Sequence, residues 1–270
     1  MTRRAFLGAA GGLGLLTILP PSVRAAIADP PLPGQDGRFL TARELDTLRA
    51  VCHRLLPGPP DDPDPGAIEG GCPEAIDLLL GAFTLPVPAI HAGGPFSGRA
   101  PAGNAGTHDD FADFVAPDAL TELAWRIRIE GSLGKTEREF AGPVRGLQAI
   151  YREGLAHLDD RAAPLTFAAL PAPAQDAILS DQSDAIAQEL VGTALGHTID
   201  AMYGPPEYGG NKNLAGWTPI SWLGDVQPRG YTPKQVTELD AAGLSLGAAS
   251  RADAVQQFHA LLPRARWRGR

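Results

Sequence analysis

Residues 184–222 read DAIAQELVGTALGHTIDAMYGPPEYGGNKNLAGWTPISW. Ile186, Leu190, Val191, Ala194, Leu195 and Thr198 recur at helical spacing, and the pattern runs on into Ala201-Met202-Tyr203. Asp184, or Ser183 before it, is placed to open this helix. It stops at Gly204-Pro205-Pro206, because proline lacks the backbone donor a helix needs and disfavours helical geometry in the residue before it. Tyr208, Gly209, Gly210 and Asn211 follow, then Gly216 and Trp217. Glycine accepts positive φ and asparagine is the next most tolerant residue. Paired glycines flanked by aromatics therefore predict a tight loop that holds ring faces in place. No nucleophile stands beside a base in this stretch. A helix feeding a shaped loop suits a surface built to fit against something.

Working outward, the rest of the chain repeats the helical theme. Thr41 with Glu44 forms a capping box ahead of Leu45, Leu48, Val51, Cys52 and Leu55, and this helix ends before Pro57. A second helix is expected over about Glu74 to Ala82. Asp118 is positioned to cap Ala119–Glu130, with Leu120, Leu123 and Ile127 as apolar surface and Gly131 as the stop. Thr136 with Glu139 predicts another capping box, with a kink or restart at Gly142-Pro143. Val144, Leu147, Ile150, Tyr151 and Leu155 form a clean stripe, read as core. Carboxylates at a helix C-terminus are mildly unfavourable, so Asp159-Asp160 are expected in solvent. A short helix enters through Pro171-Ala172-Pro173, and a last one is expected over Asp253–Leu262. No convincing pair of strands emerges. The expected fold is mainly α: a single helical domain over residues 41–270, with long Pro/Gly-rich loops.

The chain has 270 residues, 44% of them hydrophobic, which suits a globular protein with a real core. Its 32 glycines and 26 prolines imply long connections. Residues 1–26 have a basic start at Arg3-Arg4, a short apolar centre and small residues at Val23-Arg24-Ala25. That is the shape of a cleavable signal. Thr2-Arg3-Arg4-Ala5-Phe6-Leu7 resembles the twin-arginine export motif, and the apolar run is too short for the ~20 residues of a spanning helix. Residues 27–40 read as a linker. Removing residues 1–25 takes away Arg3, Arg4 and Arg24 and no acid, moving the formal charge from -8 to -11. An acidic body argues against nucleic acid as a partner.

Several side-chain groups invite chemistry. Asp61, Asp62 and Asp64 cluster in a Pro-rich loop but lack the spacing of a calcium site, so a solvated acidic loop is the better reading. Cys52 and Cys72 leave three possibilities open: one internal disulfide, a buried thiol on the apolar face of the helix, or a bridge from Cys72 to another chain. His91, Ser97, His108 and Asp109-Asp110 lie in a long irregular segment around Gly93–Arg99. Neither a phosphate loop, a zinc spacing nor a Gly-x-Ser-x-Gly elbow is present. His197, alone within a helix, reads as packed or capping. Arg264, Arg266, Arg268 and Arg270 make a short basic tail around Trp267.

His197–Gly216 also carries a family resemblance. Pro206-Glu207-Tyr208-Gly209-Gly210-Asn211-Lys212, followed by Gly216-Trp217, resembles the small "subunit 3" of gluconate 2-dehydrogenase. That family includes the small subunits of related membrane-bound sugar and polyol dehydrogenases. The likeness extends over about Thr41 to Trp222 and is strongest in the Tyr208 segment. It implies a non-catalytic subunit with no cofactor or metal of its own. Such a subunit pairs with a large FAD subunit of the glucose-methanol-choline (GMC) type, stabilises it and carries the export signal for both. The twin-arginine route moves folded proteins, so a signal on a cofactor-free chain makes sense if a cofactor-loaded partner travels with it.

The expectation for this chain is therefore a periplasmic accessory subunit, touching membrane only through its complex. Whether a cytochrome c subunit completes that complex is left open. Arg3, Arg4, Phe6 and Leu7 carry the export signal. Tyr203, Tyr208, Gly209, Gly210, Asn211 and Trp217 are the candidate partner interface, internal packing being the alternative for each ring. A stand-alone periplasmic enzyme, metal- or His-dependent, and a binding module for another partner are the competing readings.

Overall fold

A computed structural model describes residues 21–90 and 116–220. Seven α-helices run through these residues: α1 Pro21–Ala28, α2 Ala42–Leu55, α3 Cys72–Leu80, α4 Ala119–Glu130, α5 Leu147–Arg161, α6 Ala172–Leu179 and α7 Ala185–Tyr203. Short 3-10 turns interrupt the connections, and no strand occurs among the described residues. The mainly helical fold expected from the periodicity is the one observed. The chain divides between Asp225 and Val226. The second unit lies wholly outside the described residues, as does the last helix expected at Asp253–Leu262.

Helix α7 is the spine. Ala187, Leu190, Ala194, Thr198 and Met202 are buried along one face, and this face meets α5, α3 and α2. The closest approach is at Gly154 of α5, where a Cβ would sit 2.7 Å from that of Leu190. Glycine is unfavourable inside a helix; here it lets the α5 backbone pack directly against the Leu190 side chain. Tyr151, Leu155 and Leu158 of α5 and Leu45, Leu48, Val51 and Cys52 of α2 complete the core. Ile186 and Leu195, expected on the buried face of α7, are instead 45% and 40% exposed. The buried side mixes Leu190 and Met202 with the smaller Ala187, Ala194 and Thr198, and Leu190 finds its room over Gly154 of α5.

The capping signals mostly hold. Thr41 and Glu44 make both bonds of the capping box. Asp118 accepts from the Thr121 amide at 2.7 Å, and Asp184 caps α7 through Ala187. The exception is Thr136, where only a 3-10 turn forms over Thr136–Arg138 and Lys135 supplies no side-chain cap. Gly142-Pro143 leaves too few residues there to repay helix nucleation. Val144 also lies outside α5, which starts at Leu147. The Ser132 amide donates to the Val144 carbonyl at 2.9 Å, and the Val144 amide donates back to Ser132 Oγ at 3.0 Å. That pairing holds the residues before α5 in an extended path. Leu120, expected to contribute apolar surface, is 74% exposed.

Two further expectations change. Asp159 is buried rather than solvated. It accepts from Arg43 Nε at 2.5 Å, Thr47 Oγ1 at 3.0 Å and the Phe167 amide at 2.9 Å. These three donors outweigh its unfavourable place near the end of α5. The stretch read as a linker is also pinned. Asp77 of α3, itself buried, accepts from the backbone amides of Arg38, Phe39 and Leu40. The boundary expected at residue 26 falls inside α1, whose Val23 is buried against Leu78 and Leu85.

Candidate functional site

The candidate site is built where α7 stops. A helix ends with carbonyls that have no partner within it, and the loop from Gly204 to Trp217 supplies several of the missing donors. The Gly204 amide bonds the Asp200 carbonyl at 2.8 Å. Trp217 Nε1 donates to the Tyr203 carbonyl at 2.7 Å. Asn211 Nδ2 donates to the Gly204 carbonyl at 3.0 Å, while its Oδ1 accepts from the Gly216 amide at 3.0 Å. One fully buried side chain thereby ties both ends of the loop. Asn211 lies at φ 47°, ψ 40°, a conformation asparagine tolerates better than most residues.

The glycines answer to the same geometry. Gly209 ends the turn Pro206–Tyr208 at φ 96° and packs against Leu78 of α3. A side chain at Gly210 would collide with the Ala201 carbonyl, and one at Gly216 with that of Met202. Each of these residues brings the loop backbone against the last turn of α7. The Lys212 amide fastens the loop to the Gly70 carbonyl at 3.1 Å, and the Lys212 stem lies over Gly71 at the start of α3. A shallow notch of about 490 Å³ lies beside it, walled by Asp64, Glu69, Lys212, Asn213, Thr218 and Pro219 among others.

The predicted interface residues therefore separate into two groups. Gly209, Gly210, Asn211 and Trp217 are buried, Trp217 to 1% exposure, and they act inside the chain. For Trp217 this corrects the expectation of a surface anchor, since the helix end draws its indole N–H inward. Tyr203 and Tyr208 remain on the surface at 41% and 48% exposure. Sequence reading missed a second apolar surface, on the connection between α4 and α5. There Leu133, Phe140 and Val144 are 64%, 79% and 41% exposed. The base of this connection is braced by buried Arg138, which bonds Glu130 at 2.7 Å and the Gly131 carbonyl at 3.2 Å. Leu133 sits at φ 52°, a costly conformation for a leucine. Apolar residues in a Gly/Pro-rich stretch were the available signal.

The groups with catalytic potential are placed as follows. Cys52 and Cys72 are both buried free thiols, so the disulfide left open by the sequence is not formed. Burial pushes the Cys52 thiol up to about 12, and Thr198 Oγ1 donates to its sulfur at 3.4 Å. Burial raises Cys72 as well. Neither ionises readily, which makes both poor nucleophiles. His197 stacks on Tyr151 and shares a hydrogen bond with its hydroxyl at 2.9 Å through Nδ1. Burial, with the Arg128 charge second, lowers the imidazole's pKa. The histidine is packed as expected. His157 instead meets Asp184, the cap of α7, at 2.7 Å.

Asp61 pairs with Arg54 at 2.9 Å, and Asp62 accepts from the Asp64 amide at 2.9 Å. These carboxylates serve an ion pair and a turn. Among the described residues no group of three or more His, Cys, Asp or Glu gathers as a metal site, and no helix is long and apolar enough to cross a membrane. Arg3, Arg4, Phe6 and Leu7 lie outside the described residues, as do His91, Ser97, His108, Asp109-Asp110 and the basic tail.

Compared with known families, the chain matches the model described as "Gluconate 2-dehydrogenase subunit 3" over residues 42–224. No curated protein and no solved structure matches it.

Proposed function

Since the chain belongs to the gluconate 2-dehydrogenase subunit 3 family, we propose that it is the non-catalytic small subunit of a dehydrogenase complex. In this reading it binds and stabilises an FAD-containing GMC-type large subunit that oxidises a sugar or related alcohol. It then brings that subunit to the periplasm through its own twin-arginine signal. The flavin belongs to the partner, and membrane contact comes only through the complex.

The observation that carries the reading is how the family's signature is used. Asn211, Gly209, Gly210 and Trp217 are all spent on fastening a loop to the end of α7. What the fastened loop and the helix end offer outward is two tyrosine rings, Tyr208 and Tyr203. Large aromatics on a rigid support suit the centre of a protein interface, because little side-chain entropy is lost when they are covered. The raised thiols and the packed His197 favour this reading over independent catalysis.

Co-expression with an FAD-containing GMC-type flavoprotein tests it. The two chains should purify together, and Tyr208→Asp should weaken the association at least tenfold, with near-ultraviolet circular dichroism checking that the variant stays folded. Changing Arg3 and Arg4 to Lys should leave both chains in the cytoplasm. A flavoprotein that reaches the periplasm with that variant would show that the carrier role is wrong.

A further inference from the structure

The amino-terminal signal and the fold overlap, and the overlap has a chemical consequence. Val23-Arg24-Ala25 is the small-residue run where a leader peptidase would cut, with water adding across the Ala25–Ala26 amide. In the structure this run is the middle of α1. Val23 is 1% exposed and packs with Leu78 of α3 and with Leu85, while Ala26, Ile27 and Ala89 close around them. The Ala25 carbonyl, the group that water must attack, accepts from the Asp29 amide at 3.0 Å. Peptidases bind their substrates as extended strands, through the backbone groups that a helix uses internally. Cutting here therefore requires α1 to leave its seat and unwind.

The seat also serves the candidate interface. Leu78, covered by Val23 on one side, lies 3.1 Å from where a Cβ of Gly209 would be. Removing α1 would bare Leu85 and also Leu78, which lies directly behind Gly209. Docked α1 keeps that support dry.

We propose that α1 is a retained part of the folded subunit: once docked on Leu78 and Leu85 it shields the Ala25–Ala26 bond from leader peptidase. The leader then stays attached to the mature chain. The proposal builds on the export reading above, since a protein that folds before export meets the peptidase with α1 already in place.

The test needs neither export nor partner, so its failure is separable from failure of the carrier role. The purified full-length chain is incubated with bacterial leader peptidase in detergent micelles, and its intact mass is followed. Leu85→Asp empties the seat without touching the residues the peptidase reads. Ile27→Pro unwinds α1 and removes only a partly buried side chain from the edge of the Val23–Leu78–Leu85 cluster. Both variants should be cut after Ala25 at least tenfold faster than the wild type, the factor expected from freeing one buried valine. Near-ultraviolet circular dichroism checks that the rest of each variant stays folded. Wild-type protein trimmed to Ala26 as fast as the variants would overturn the proposal. So would variants that resist as well as the wild type, because docking would then not be what protects the bond.

Discussion

Asn211→Ala is the most informative single change in the loop. It removes two hydrogen bonds whose protein partners, the Gly204 carbonyl and the Gly216 amide, stay behind in a site with no exposure at Asn211. Each buried group left unpaired costs roughly 1–3 kcal/mol. Alanine must also hold φ 47°, for roughly 1 kcal/mol more. The expected loss is thus about 5 kcal/mol, a large share of the 5–15 kcal/mol that stabilises an ordinary domain. Asn211→Gly relieves the backbone term alone and should recover about 1 kcal/mol of the loss.

Asn211→Asp separates the two bonds. It keeps the acceptor for Gly216 but turns a carboxylate oxygen on the Gly204 carbonyl. Burial raises such a carboxyl above its usual range near 4. The protonated form can donate to Gly204 as the amide did. The variant's deficit should therefore be small below about pH 4 and grow as pH rises through the folded-state value. Urea unfolding followed by tryptophan fluorescence reads all three variants, because Trp217 leaves its buried position when the loop detaches. An Asn211→Ala loss below about 1 kcal/mol would refute the claim that this side chain holds the loop, and no difference between alanine and glycine would refute the backbone contribution.

Two other outcomes follow from the same structure. Asp159→Ala should cost about 3 kcal/mol, since Thr47 and the Phe167 amide lose a buried acceptor; a guanidinium chloride melt checks it. Cys52 and Cys72 should react with a thiol reagent slowly in the native chain and quickly in denaturant, where two thiols should titrate; a count of zero would mean that the pair had oxidised.

Much of the fold was legible because its signals are local. The capping box at Thr41, the cap at Asp118, the stop at Gly131 and the halt at Gly204-Pro205 each depend on residues within one helical turn. The Tyr-Gly-Gly-Asn…Gly-Trp run was legible as a shaped loop for the same reason. Its purpose was not. Whether an asparagine or an indole faces outward or inward depends on carbonyls of α7, which come close only when the loop folds back over the helix end.

The same division holds elsewhere in the chain. Periodicity marked α7 as a helix but chose the wrong apolar face at Ile186 and Leu195, because the buried side is set by the proximity of Gly154 on another helix. Asp159 looked solvated until Arg43, Thr47 and Phe167 converged on it from three segments. Helix α1 was read as the end of a signal, and only its docking on Leu78 and Leu85 makes it part of the fold. Short-range order in this protein follows from neighbouring residues, whose effects propagate over a turn. Burial of a polar or small residue depends on partners far along the chain, and no local pattern carries that information.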